Sequence, residues 1–195
     1  MIGVPQKMTD RSGEGQPRRS LPGKKGAHGL LDLFVVLVLS LVIVFGAVRP
    51  FVAEPFYVSS RSMLPTLKPH DRVLAAKFSY HLGKARRGDL VVFENPENPK
   101  ENLIKRVVGL PGDTVAIKDA VLYVNGERVR EPYVNYRLID ASYFGPVEVP
   151  EGYVFTMGDN RANSVDSRSF GAVPEKDLLG RVILRLWPLD RAGDV

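Results

Sequence analysis

Residues Leu33 to Val48 constrain this chain more than any other stretch, because they carry no charge and are almost wholly apolar (Leu-Phe-Val-Val-Leu-Val-Leu-Ser-Leu-Val-Ile-Val-Phe-Gly-Ala-Val). With Leu30, Leu31 and Asp32 the run reaches 19 residues. At about 1.5 Å per helical residue that is roughly 28 Å, close to the hydrocarbon thickness of a bilayer. Asp32 lies near one end, where a carboxylate can reach the interface. A buried core helix would carry a polar face, and this run has none. A cleaved secretory leader would be followed by a small-x-small site, whereas Phe45-Gly46-Ala47 begins with a bulky residue and the preceding tail is long. The run therefore predicts a transmembrane anchor over residues 29–49, ended by Arg49-Pro50. Residues 1–28 are polar, without apolar periodicity, and read as a disordered tail. That tail holds Lys7, Arg11, Arg18, Arg19, Lys24 and Lys25 against Asp10 and Glu14. The basic bias places the N-terminus in the cytoplasm and residues 50–195 on the other side, with Phe51 and Phe56 near the outer interface.

Composition narrows the remainder. The net charge of +5 belongs mostly to the tail, and the rest of the chain is near neutral, so the balance gives no reason to expect a nucleic-acid partner. No cysteine is present, which removes disulfides, thiolate metal sites and a cysteine nucleophile. Three scattered histidines have no metal-ligand spacing, so no metal and no cofactor are expected. The 195 residues suffice for one good-sized folded domain plus appendages. After Glu54 short apolar or alternating runs recur: Arg72–Ala76, Asp89–Glu94, Leu103–Val108, Thr114–Lys118, Ala120–Val124, Tyr153–Met157 and Arg181–Trp187. Frequent Gly, Pro and Asn between them predict an antiparallel β-domain of sandwich or barrel type. Leu110-Pro111-Gly112-Asp113 has the signature of a type II turn, and Val124-Asn125-Gly126-Glu127 that of a hairpin. Residues 125–150 have few apolar runs and read as a surface insertion.

Three places in the β-region carry candidate chemistry. In Ser59-Ser60-Arg61-Ser62-Met63-Leu64-Pro65-Thr66, Pro65 biases Leu64 away from helix, so Ser62 sits on an extended or turning backbone that can present its hydroxyl. Lys105 lies in an apolar strand, on the opposite face from Arg106. As a general base it would have to be neutral, and desolvation can lower its pKa by the required roughly 2–3 units. Taken alone, Lys105 reads more readily as a solvated strand lysine, and Ser62 as part of a Ser-rich loop, than as catalytic groups. The third place, Gly158 to Arg168, crowds Asp159, Arg161, Asp166 and Arg168 with Ser164 and Ser167, each carboxylate within reach of a guanidinium. Serine, lysine and orienting polar groups together make a Ser–Lys nucleophile set. His70 and His81 remain alternative bases, while His28 lies on the wrong side of the predicted anchor.

Four ordered boxes make the pattern specific: Ser60 to Leu67, Arg87 to Phe93, Lys105 to Asp113, and Gly158 to Arg168. In these the chain resembles the bacterial type I signal peptidases (leader peptidases), membrane-bound Ser–Lys proteases that remove signal peptides from exported proteins. The likeness covers nearly all of the part after the anchor, and no motif position departs from the family pattern. It implies Ser62 as nucleophile, Lys105 as general base, and the Ser60 hydroxyl with the Ser62 N–H as oxyanion hole. Ser164 would orient Lys105, and Asp159–Arg106 and Asp166–Arg168 would be scaffolding ion pairs. The implied fold is a mostly antiparallel β-structure with an exposed apolar surface resting on the bilayer.

By the same resemblance the substrate is an extended signal peptide with small side chains at −3 and −1. Phe56, Val58, Met63, Leu67 and Ile104 are the candidates by position for its shallow apolar pockets. The partners implied are exported preproteins, membrane lipid and, further off, the protein-export machinery. Two rivals are weaker. A self-cleaving repressor-type protein would be soluble with a DNA-binding domain, and a membrane-tethered β-module would scaffold partners without turning anything over.

Overall fold

A computed structural model describes residues 25–43, 53–77, 84–136 and 143–195. Residues 1–24, 44–49, Phe51 and His81 of the expectations above therefore lie outside the described residues. Helix α1 covers Lys25–Ile43, starting ahead of the anchor boundary read at 29. Its apolar side chains from Leu33 to Ile43 are exposed all round. Among the described residues no helix is long and apolar enough to cross a membrane.

The rest of the described chain is mainly antiparallel β. Strands β1 (Ala53–Tyr57), β2 (Arg72–Ala76), β3 (Leu90–Asn95), β4 (Asn98–Gly109), β5 (Thr114–Lys118) and β6 (Val121–Val124) come first. They are followed by β7 (Glu127–Arg128), β8 (Phe144–Glu148), β9 (Tyr153–Met157), β10 (Val173–Pro174) and β11 (Leu178–Trp187). One sheet runs β1-β2-β11-β3-β4-β9-β10, the other β7-β6-β5-β8. The last strand, β11, thus enters the middle of the large sheet between β2 and β3. A single helical turn, α2 (Ser167–Phe170), follows β9 and is capped by the Asp166 carboxylate accepting from the Arg168 N–H.

Strand β4 organises the molecule. Over its first half it pairs only with β3, with Val91 opposite Lys105 and Val92 opposite Ile104. Over its second half it also pairs with β9, with Arg106 opposite Met157 and Val107 opposite Thr156. Alternation puts Lys105 on the same face as Leu103, Val107 and the facing Val91. Val91, Phe93 and Val107 are completely buried there with Val154 and Val173. On its other face β4 sends Val108 into a second cluster with Val115 and Phe155.

Turn chemistry locks the connections. Asn125 and Gly126 both have positive φ between the β6–β7 partners Val124 and Glu127, as a two-residue hairpin of type I′ requires. Gly112, at φ 81°, closes the Leu110–Asp113 turn, where the Asp113 N–H donates to the Leu110 carbonyl at 3.0 Å. Asp113 accepts from the Leu110 N–H at 2.6 Å and from Arg87 at 2.8 Å, which ties the Arg87 box to the Lys105 box. These bonds outweigh burial and hold the Asp113 carboxyl below its usual range.

Gly109, the last residue of β4, lets the second sheet close on the first. A Cβ there would stand 2.6 Å from Val115 Cγ2 and 3.0 Å from Phe155 Cβ. Gly109→Ala is expected to lower stability by about 1–3 kcal/mol through overpacking, read as a fall in the urea midpoint at unchanged slope. An unchanged midpoint would contradict this packing.

Candidate active site

Ser62 sits in a turn that two apolar side chains pull inward. Met63 and Leu67, joined by a 2.9 Å bond from the Leu67 N–H to the Met63 carbonyl, are buried beside Val58 and Val73. With Met63 and Leu67 held in the core, Ser62 is left at the rim, 9% exposed. Its hydroxyl lies 3.1 Å from that of Ser60.

The polar loop after β9 is zipped to this turn. The Asn160 N–H donates to the Ser62 carbonyl at 3.0 Å, the Asn160 side chain donates to the Arg61 carbonyl at 3.1 Å, and the Thr66 hydroxyl donates to Asp159. Gly158 is the closest junction. A Cβ on it would lie 2.3 Å from Ser164 Oγ and 2.5 Å from the Ser62 carbonyl oxygen, so no other residue fits. Its N–H donates to Asp166 at 3.0 Å, and its carbonyl accepts from Arg161 Nε at 3.0 Å.

Lys105 is 2% exposed, and its Nζ donates to Ser164 Oγ at 3.0 Å. Lys105 and Ser62 line the same cleft of about 310 Å³, with Ser60, Leu103 and Val165. Burial lowers the Lys105 pKa from 10.5 to about 8, while Asp166 and Asp159 pull it up and Arg168 pushes it down. Both carboxylates are already engaged. Asp159 takes a two-pronged contact from Arg106, Nε at 2.9 Å and a terminal nitrogen at 2.7 Å. Asp166 takes the same from Arg168 at 2.8 and 2.9 Å. Burial works to raise the Asp166 pKa, but Arg168, the Gly158 N–H and the Ser164 hydroxyl outweigh it and keep the carboxyl below its usual range. With the Ser164 proton directed at Asp166, a lone pair of its oxygen is free to accept from Lys105.

A second cleft, of about 520 Å³, opens beside Ser60 and Ser62. It runs between β1 and residues 101–104 of β4. Among the described residues each of these backbones has a strand neighbour on one side only, so both present unpaired strand edges to the cleft. Phe56, Val58, Met63 and Ile104 line it. Leu67, named with them from sequence, does not: it is fully buried in the core under the turn. His70 lies apart from both linings, exposed and hydrogen-bonded to Tyr57. Among the described residues no three acidic or histidine side chains group so as to hold a metal ion.

Sequence reasoning missed Glu131. It is 3% exposed and takes both terminal nitrogens of the buried Arg161, one of them at 2.8 Å. Nothing local signals this, because Glu131 lies in a polar stretch that reads as surface.

A buried ammonium makes a sign-definite stability prediction. The unfolded chain keeps Lys105 near 10.5, so between pH 8 and 10.5 it binds more protons than the folded chain and folding strengthens as pH rises. The penalty is fully present below pH 8 and gone above pH 10.5. Lys105→Met should therefore be more stable than wild type at pH 7, by up to about 3 kcal/mol, and the gap should close by pH 10.5. Urea unfolding at the two pH values checks it, and a less stable variant at pH 7 would contradict the burial argument.

The family model described as signal peptidase, peptidase S26, matches residues 30–187. The chain is 39% identical over 198 residues to a signal peptidase I of Leptolyngbya laminosa, covering 96% of this chain and 93% of that one. It is 40% identical over 177 residues to signal peptidase I P of Bacillus subtilis subsp. natto, covering 86% and 95%. A crystal structure of a signal peptidase I from Enterococcus faecalis V583 is 34% identical with a TM-score of 0.45, covering 50% of this chain and 96% of that one.

Proposed function

The chain belongs to the signal peptidase family, peptidase S26, and on that premise we propose that it cuts N-terminal signal peptides from exported preproteins with Ser62 as nucleophile and Lys105 as general base. One observation carries this reading: Ser62 shares a cleft with a buried lysine whose pKa is near 8. At pH 7 about a tenth of such a lysine is neutral, roughly 300 times the fraction of an unperturbed one.

Lys105 Nζ takes the proton from Ser62 Oγ, which attacks the carbonyl carbon of the substrate's −1 residue. The oxyanion is met by the Ser62 N–H and the Ser60 hydroxyl. The Lys105 ammonium gives the proton to the departing amine, the C–N bond breaks, and the mature protein leaves an ester on Ser62. Water, deprotonated by Lys105, then attacks the ester, and the Lys105 ammonium returns the proton to Ser62 Oγ as the acyl C–O bond breaks and the signal peptide leaves. Ser164 holds one Lys105 N–H so that the nitrogen lone pair faces Ser62. The residues themselves supply every proton transfer, so no cofactor is called for.

The substrate lies extended between β1 and β4, adding a strand to their free edges. Its small −1 and −3 side chains rest on Phe56, Val58, Met63 and Ile104, with Met63 and Val58 as a rigid floor. In the full chain, residues 1–28 form a cytoplasmic tail, 29–49 a single membrane anchor, and 50–195 the peptidase domain on the far face, residues 125–150 being its excursion. The exposed apolar side chains of α1, with the exposed Leu186 and Trp187 at the end of β11 and Leu189 just beyond it, support a membrane location. There the domain meets lipid and preproteins delivered by the export machinery.

Detergent-solubilised full chain should cleave a preprotein bearing an Ala-x-Ala site after the second Ala, with the new N-terminus read by mass spectrometry. Ser62→Ala and Lys105→Met should each lose at least about 1,000-fold in rate. Wild-type rates in Lys105→Met would reject the dyad.

A further inference from the structure

Beyond the dyad and its two arginine–carboxylate supports, Glu131 is a buried charge to which the mechanism above gives no role. Glu131 belongs to the segment Glu131–Tyr136 after β7, remote in sequence from the rest of the site, yet it is 3% exposed and fully engaged. Tyr133 donates to one of its oxygens at 3.1 Å, Tyr136 to the other at 3.3 Å, and Arg161 grips both. The Tyr133 ring also packs against the Arg106 guanidinium, 3.9 Å from its centroid. One short segment thus contacts both Arg106, which grips Asp159, and Arg161, which bonds the Gly158 carbonyl.

Arg161 passes this order on. With its terminal nitrogens committed to Glu131, its Nε is aimed at the Gly158 carbonyl, and its own carbonyl accepts from Arg168 at 2.9 Å. Gly158 in turn has no slack, because it touches the Ser62 carbonyl and the Ser164 hydroxyl at once. A buried ion pair contributes little net stability over an apolar replacement, but a two-pronged guanidinium–carboxylate contact fixes direction. Resting on the reading of Ser62 and Lys105 given above, we propose that Glu131 is a positioning residue for the peptidase reaction, acting through Arg161 and Gly158 to hold Ser164 against Lys105 and the Ser62 carbonyl in register.

Glu131→Gln keeps the shape and removes the charge. It loosens Arg161, so Gly158 and Ser164 shift, and a misplacement of about 1 Å at the reacting groups can cost up to 100-fold in rate. Two consequences act on Lys105 in one direction. Loss of the Ser164 acceptor and an unbalanced Arg161 charge both disfavour the ammonium, while Asp166, Arg168 and Asp159, the other charges acting on it, are unchanged.

The test uses solubilised full chain and the Ala-x-Ala preprotein, with rates expressed per site titrated by a serine-acylating probe, and per mole of protein where wild type is compared with Ser62→Ala, which the probe cannot label. Wild type, Ser62→Ala, Glu131→Gln, Tyr133→Phe and the exposed β7 control Glu127→Gln are compared. Glu131→Gln should lose about tenfold or more in kcat with KM within about twofold, and the acid limb of kcat/KM should move down by about half a pH unit or more. Tyr133→Phe, which keeps the ring under Arg106 and removes one bond to Glu131, should lose about two- to fivefold in kcat. It carries the test if Glu131→Gln does not fold. Glu127→Gln should match wild type. A Glu131→Gln variant with a lower Tm but wild-type kcat per site and an unmoved limb would show a merely structural role and overturn the proposal. Wild type no more active than Ser62→Ala would overturn the reading of the site, and this proposal with it.

Discussion

A lysine buried without a carboxylate of its own is the interaction on which this site depends. Ionised Lys105 would be stable beside Asp166 or Asp159 if either were free to pair with it. Neither is: each carboxylate is gripped by an arginine, and what remains for Lys105 is a hydroxyl. Burial then wins over the residual attraction of the two acids and brings the Lys105 pKa down to about 8, within reach of physiological pH. The arginines therefore do more than hold the loop; they withhold countercharge from Lys105.

The second constraint is steric. Ser62, Lys105 and Ser164 come from a turn, a strand and a loop far apart in sequence. They meet because Gly158 leaves room for the Ser62 carbonyl on one side and the Ser164 hydroxyl on the other. Both polar groups of the Gly158 backbone are bonded, one to Asp166 and the other to Arg161. The short polar loop between β9 and α2 is thereby held from both sides, as a reaction at Ser62 would require.

Much of this was legible in the chain, and what was not follows a pattern. The seven runs read as strands correspond to β2, β3, β4, β5, β6, β9 and β11. The four strands not read, β1, β7, β8 and β10, all lie at sheet edges. Three of them contain a proline (Pro55, Pro146, Pro174), which an edge tolerates because no partner needs its missing N–H, and which makes the run read as a loop. Periodicity sees central strands because both their neighbours demand it. The polar groups of the site could be named from their motif, but apolar depth could not: Leu67, one turn beyond Met63, fills the core rather than the cleft. Glu131 was invisible for a different reason. Its burial comes from an arginine 30 positions away, and no local pattern encodes such a partner.

The central claim concerns the protonation of one nitrogen, and it can be measured directly. Lysine side chains labelled with ¹⁵N, titrated by NMR in wild type and in Lys105→Met to assign the signal, report the Lys105 midpoint. A midpoint near pH 8 is the predicted result. A midpoint near 10.5 would mean that Lys105 stays an ammonium throughout the working range, and the account of its burial and of Ser62 activation would fall.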